Sequence, residues 1–170
     1  QIGGVPIFCC KYYPDSFITK APVLKSQGNA VVTKIQPISH KVRYLSCGVK
    51  RALLEVEYDD FILYLVHLSL GRKARTKQVE ELADRCMSSK KPLILAGDCN
   101  TFGGEDELFP LIERVGLKNA NSHLVPTYPS SSPRMLLDFV LYSPEIKVEN
   151  LFIPKVTFSD HLPLVCDFSV

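Results

Sequence analysis

The stretch Pro92-Leu-Ile-Leu-Ala-Gly-Asp-Cys-Asn100 constrains this chain more than any other. Four apolar residues after a proline read as a short buried strand, Leu93 to Ala96. Gly97 is expected to end it, with Asp98 and Asn100 following at once. A carboxylate and a carboxamide two residues apart point the same way, and α/β proteins place ligands at the carboxyl ends of such strands. Gly-Asp-x-Asn is also ordinary turn chemistry, so the stretch by itself allows a plain turn as readily as a site.

The rest of the chain supplies strands and helices around it. Asn29 to Lys34 reads as a strand stopped by Pro37. Ala52, Leu54, Val56 and Tyr58 alternate with Arg51, Leu53, Glu55 and Glu57, a half-buried strand with a mostly polar second face. Asp59-Asp60 turns the chain back into a more buried strand, Phe61 to Leu68, so a hairpin ends at His67. Val79, Leu82, Ala83 and Cys86 fall at i, i+3, i+4 and i+7, which predicts an amphipathic helix over residues 73 to 88. Leu108, Leu111, Ile112 and Val115 predict a second over 105 to 115, with Glu105, Asp106 and Glu107 at its positive end and Gly116 beyond it. A Ser/Pro-rich loop spans 121 to 134, and Leu136–Tyr142, Val148–Ile153 and Pro163–Phe168 read as strands. Residues 1 to 28 carry little periodicity beyond a strand at Ile7 to Tyr13, punctuated by Pro14 and Pro22. Hairpins mixed with strand–helix–strand units imply a mixed sheet with helices packed outside.

At 170 residues the chain suits one domain, residues 1–170, and 46% hydrophobic with 22% charged residues excludes disorder as the main state. A net charge of +2 argues against a loose coat on nucleic acid, though not against an enzyme gripping one or two phosphates. No apolar run approaches the roughly 18 residues a bilayer requires, and no basic-then-apolar leader opens the chain. The six cysteines form no Cys-x-x-Cys pair, so a zinc site is not expected; Cys47, Cys86 and Cys166 read as small core residues. Together these point to a reducing, cytoplasmic compartment.

Polar residues interrupt apolar strands at three places: His67; Asp98 and Asn100; and Ser159-Asp160-His161 before the last strand. Asp138 lies inside Leu136-Leu-Asp-Phe-Val-Leu141, where a carboxylate needs a partner, and a histidine suits it best. A neutral histidine takes a proton from water near neutral pH when a carboxylate fixes its tautomer. Asp98, Asn100 and Asp160 are hard oxygen ligands of the kind magnesium or manganese uses. Each also has a plain reading: His67 as a satisfied strand-end histidine, Asp160 as a turn residue, Asp138 as a structural anchor. His40 and His123 lie in polar loops and are given no role.

The series His67-Leu-Ser, Gly97-Asp-Cys-Asn100, Leu137-Asp-Phe-Val140 and Ser159-Asp-His161 resembles the endonuclease/exonuclease/phosphatase superfamily, with the likeness running over residues 28–170. Gly28-Asn-Ala-Val-Val-Thr-Lys34 and Pro126-Thr-Tyr-Pro-Ser130 look like further family stretches. The resemblance implies a four-layer α/β/β/α sandwich of two mixed β-sheets, deoxyribonuclease I-like. It implies a metal-dependent hydrolase of phosphate esters: nucleic acid, inositol phosphate or phospholipid headgroup. His161 would be the base oriented by Asp138, and Asp98 would position the water. Asn100 and His67 would bind the phosphate, and Asp160 with Asp98 would meet a magnesium ion (Mg2+), or manganese (Mn2+). Cys99 stands where the family commonly has Phe, and its side chain is expected to point away from the site. The family's metal-binding glutamate is not visible here. The expectation is therefore a chain that belongs to a longer protein or is completed by another chain; were residues 1–170 active by themselves, another acid, Glu105 or Glu107, would do the glutamate's work. The alternative is a non-catalytic remnant that binds phosphate-bearing partners.

Overall fold

In the computed structural model, which describes residues 4–10 and 27–170, the segment ending at Asp98 lies inside a six-stranded mixed sheet. Its strands are β3 (Ser39–Tyr44), β4 (Ala52–Glu57), β5 (Ile62–His67), β6 (Leu93–Asp98), β7 (Lys118–Asn119) and β8 (Asp138–Tyr142), ordered β3-β4-β5-β6-β8-β7. β5 and β6 run parallel with His67 level with Asp98, and β8 runs antiparallel to β6 with Asp138 level with the same residue. Three polar residues thus stand abreast on three neighbouring strands. A parallel pair needs a long crossover, and helix α1 (Arg72–Met87) provides it.

Successive side chains of a strand face opposite ways, and the buried residues divide accordingly. Leu53, Tyr64, Val66, Leu93, Leu95 and Phe139 pack with Val79, Leu82, Ala83 and Cys86 of α1. Ala52, Leu54 and Val56 pack on the other face with Ile7 and Cys9 of β1 (Val5–Cys10). That second face carries two antiparallel ladders, β1 with β2 (Gly28–Thr33) and β9 (Lys147–Phe152) with β10 (Val165–Ser169). The result is an α/β sandwich built on one mixed sheet, with antiparallel ladders on the face opposite α1. No helix among the described residues is long and apolar enough to cross a membrane.

Several expectations need correction. β6 does not stop at Gly97 but continues through it to Asp98. Gly97 has φ +137°, and a Cβ there would lie 2.0 Å from the Val66 carbonyl oxygen, so only glycine allows β6 this close to β5. Leu53 is on no polar face; it is fully buried beneath α1, because β4 is covered on both sides. Asp138 opens β8 rather than sitting within a strand from Leu136. In place of a helix over 105 to 115 there is a 3-10 turn, Glu105–Leu108, and a single π turn, Pro110–Arg114. Pro110 has no N–H to continue the ladder and its ring crowds the preceding turn. Leu108 and Leu111 still reach the core.

Cys86 is a core residue as expected, its thiol pushed up to about 12 by burial, whereas Cys47 and Cys166 are only half-buried. The expected strand beyond Cys10 and the prolines at 14 and 22 lie outside the described residues.

Candidate active site

All six candidate residues come to one cleft. His67, Asp98, Asn100, Asp138, Asp160 and His161 line an open cavity of about 430 Å³, together with Lys50, Leu70, Phe102, Tyr128, Leu137 and Ser159. His40 and His123 are exposed and do not line it. Cys99 is fully buried in the core under α1, pointing away from the cleft as expected.

Asp98, at the end of β6, is surrounded by donors. Its Oδ1 accepts the backbone N–H of Asn100 at 2.9 Å, and its Oδ2 lies 3.1 Å from His67 Nε2. Burial pushes the carboxyl up, yet the hydrogen bond and charge of His67, with the Asn100 N–H and the charge of His161, outweigh it. The carboxyl is held below its ordinary value, so Asp98 is an anion at neutral pH.

Asn100 follows in the left-handed region, φ 51°, which asparagine tolerates better than most residues. Its amide nitrogen donates to the Leu68 carbonyl at 2.8 Å and lies 3.3 Å from Asp98 Oδ2. Those contacts tie the loop after β6 to the end of β5. Asn100 forms the buried floor of the cleft, and donating to a phosphate would require releasing one of them.

His161 and Asp138 meet at 2.7 Å, between Nδ1 and Oδ2. The Thr127 hydroxyl donates to the same oxygen at 2.6 Å. The Ser/Pro-rich loop therefore has a defined job: it clamps the segment that carries His161. Leu162 donates to the Thr127 carbonyl at 2.9 Å, Ser130 N–H donates to the Asp160 carbonyl at 2.7 Å, and the Ser130 hydroxyl donates to Ser159 O at 2.6 Å. The Tyr128 ring lies 4.8 Å from the His161 ring, tilted by 48°. With Nδ1 engaged, His161 keeps Nε2 for chemistry.

Asp160 is exposed at the cleft edge, its Oδ1 3.1 Å from the Ser159 hydroxyl. Asp98 and Asp160 are the acids expected to meet a metal. Among the described residues, however, no three His, Cys, Asp or Glu side chains gather closely enough to hold one. The proposed substitutes do not help. Glu107 binds Arg75 and the Gly103 N–H, and Glu105 accepts from Asn119 at 2.6 Å. Neither lines the cleft.

Two cleft-lining residues, Lys50 and Tyr128, and the buried Thr127 behind Asp138 went unread in the sequence. Lys50 sits in a short polar turn that looks solvated, and its ammonium contacts His67 Nε2. Thr127 and Tyr128 lay in a stretch already noted for its likeness to the family, which was the available signal. A larger groove of about 560 Å³ beside α1 holds none of the candidates, and four of its charges pair within it, Arg43 with Glu55 and Arg85 with Glu81.

The endonuclease/exonuclease/phosphatase family model matches residues 4–161. Two UPF0294 proteins, from Yersinia pseudotuberculosis and Yersinia pestis, are 26% identical over 165 residues, covering 96% of this chain and 55% of theirs. The chain thus spans about half the length of the curated relatives it matches. The human nocturnin catalytic domain, solved with a bound sulfate anion, superposes with a TM-score of 0.70 at 21% identity, covering 99% of this chain and 73% of that one. A mannosyl-6-phosphatase of Bacteroides thetaiotaomicron gives 0.68 at 16% identity, covering 84% and 71%. Humanized Danio rerio TDP2 gives 0.67 at 16% identity, covering 84% and 72%. At these identities the likeness shows the shared fold.

Proposed function

The chain belongs to the endonuclease/exonuclease/phosphatase family, and from that membership and the contents of its cleft we propose that it hydrolyses phosphate esters. The observation that carries this reading is the Asp138–His161 pair at 2.7 Å, facing the same cleft as an ionised Asp98. Asp138 fixes the Nδ1 hydrogen, and Nε2 takes a proton from water as the water oxygen attacks phosphorus. Asp98 orients that water, and His67, its Nε2 hydrogen on Asp98, lines the phosphate end of the cleft. The bond from phosphorus to the leaving oxygen breaks, and that oxygen leaves as an alcohol once protonated. Removing a general base lowers rates by about 100-fold or more.

A magnesium or manganese ion belongs to the reading that the resemblance implies, with Asp98 and Asp160 as the carboxylates that would meet it. Such an ion wants about six oxygen ligands; Asp138, the third acid of the cleft, is engaged by His161 and Thr127, and no three described side chains gather to hold a metal. The residues present do not complete a site, and no step here runs through metal.

The competing reading is a domain that binds phosphate-bearing partners without turnover, and the lack of a three-ligand cluster among the described residues favours it. A screen against single-stranded DNA, inositol phosphates and phospholipids, with and without added magnesium, separates the two. Turnover that His161→Ala abolishes supports hydrolysis, and saturable binding without turnover supports the other reading. One structural relative is a mannosyl-6-phosphatase and another was solved with a bound sulfate, so the screen should vary the ester around a tetrahedral oxyanion.

A further inference from the structure

Lys50 reaches the cleft from the turn before β4, and its ammonium contacts His67 Nε2. The same nitrogen lies 3.1 Å from Asp98 Oδ2. An imidazole nitrogen either donates its hydrogen or accepts one, so it satisfies Asp98 or Lys50 but not both. When it donates to Asp98, the ammonium must turn that N–H elsewhere. An anionic oxygen in the cleft is an acceptor that removes the conflict, taking hydrogen from Lys50 while His67 keeps Asp98. Lys50 is also the one lysine or arginine among the described residues lining this cavity.

The backbone that carries it is held firmly. Gln78 is fully buried on α1, and its side-chain nitrogen lies 2.7 Å from the Lys50 carbonyl and 2.8 Å from that of Cys47. Its oxygen accepts the Ser69 N–H at 2.9 Å, and the Ser69 hydroxyl lies 3.3 Å from the Lys50 carbonyl. Gly48 closes the turn at φ +91°, where a Cβ would come within 2.2 Å of Ser69 Oγ. A buried amide bonded this fully is a strong constraint on the turn it holds. Here that constraint fixes the root of one cation beside the strand end bearing His67.

We propose that Lys50 is a substrate-binding residue whose ammonium takes a non-bridging oxygen of the phosphate group. A lysine suits that task as a compact point charge that imposes no bidentate geometry, so it grips the phosphate whatever the ester. This inference rests on the phosphate-ester reading above, and it adds a ligand for the anion that the motifs do not include.

The test titrates inorganic phosphate into the whole chain by calorimetry, for wild type, K50M and K50R, with melting temperatures and turnover of bis(p-nitrophenyl) phosphate in parallel. K50M is expected to weaken phosphate binding by about 10-fold or more, the scale of one charge-assisted hydrogen bond, with K50R within about threefold of wild type. Where turnover is present, the loss should fall on KM rather than kcat. Phosphate binding by wild type that weakens in K50M, without turnover in either, supports Lys50 and overturns hydrolysis. Equal phosphate affinity in wild type and K50M overturns the proposal and leaves the hydrolytic reading standing. A lowered melting temperature with unchanged affinity also overturns it, making Lys50 a structural counter-charge to Asp98. No phosphate binding by wild type overturns both.

Discussion

Thr127 donates its hydroxyl to the very oxygen of Asp138 that holds His161 Nδ1, at 2.6 Å against 2.7 Å. One carboxylate oxygen thus links a loop, a strand and the candidate base.

If His161 acts as a base, Thr127→Val should lower turnover by roughly 10-fold, the lower end of what an outer hydrogen-bond partner contributes. Thr127 is fully buried and valine has its shape, so the fold should survive with about 1–3 kcal/mol lost. Steady-state kinetics beside a urea melt checks both numbers. Unchanged turnover would mean that Asp138 needs no help in orienting the ring.

The lowered Asp98 carboxyl makes a pH prediction. A group whose folded value lies below its unfolded one adds stability that is fully present above the unfolded value, about 4 for aspartate, and is lost as pH falls through the folded value. Urea midpoints should therefore hold steady from pH 7 to about 5 on this account and fall in stronger acid. Asp98→Asn should flatten the part of that fall due to this residue. An identical acid profile in the variant would count against the His67–Asp98 contact.

Arg75 is 2% exposed and bonds Glu107 at 2.6 Å, with the carbonyls of Ser69 and Leu70 at 3.1 and 2.6 Å. Glu107→Ala leaves a buried guanidinium without its counter-charge and should cost about 3–5 kcal/mol. Arg75→Met with Glu107→Leu should recover much of that, because neither buried charge remains. A melting series on the two variants checks it.

Magnesium should bind the 170-residue chain weakly, in the millimolar range, because two carboxylates leave most of the coordination shell to water. Titration followed by calorimetry or by perturbation of the His161 ring signals tests this. Micromolar affinity would require an acid that the described residues do not supply.

Much of the architecture was legible because burial writes itself as periodicity. β6 announced itself by an apolar run and α1 by its stripe of Val79, Leu82, Ala83 and Cys86, all buried. β3 was invisible for the converse reason. Ser-His-Lys-Val-Arg-Tyr is an edge strand held by backbone pairing and by Arg43 facing Glu55 at 2.8 Å, and on the face that carries Val42 and Tyr44 only Tyr44 packs against the core. The break at Phe109 depended on one proline interrupting an otherwise helical pattern. At the site, residues with distinctive chemistry stood out, whereas residues recruited by tertiary position did not. Lys50 reads as solvated until the fold sets it beside His67, and Arg75 and Gln78 read as the wet face of a helix until their heads are found holding loops.

The close approach at Gly97 has a consequence for how this protein would tolerate change. β5 and β6 meet in the register that sets His67 against Asp98, and a slip by one residue would turn every side chain of β6 to the opposite face. The bare α-carbon against the Val66 carbonyl acts as a key in that lock. A random-mutagenesis screen scored only on lost activity should therefore return position 97 alongside the histidines, although nothing at that position can touch a substrate.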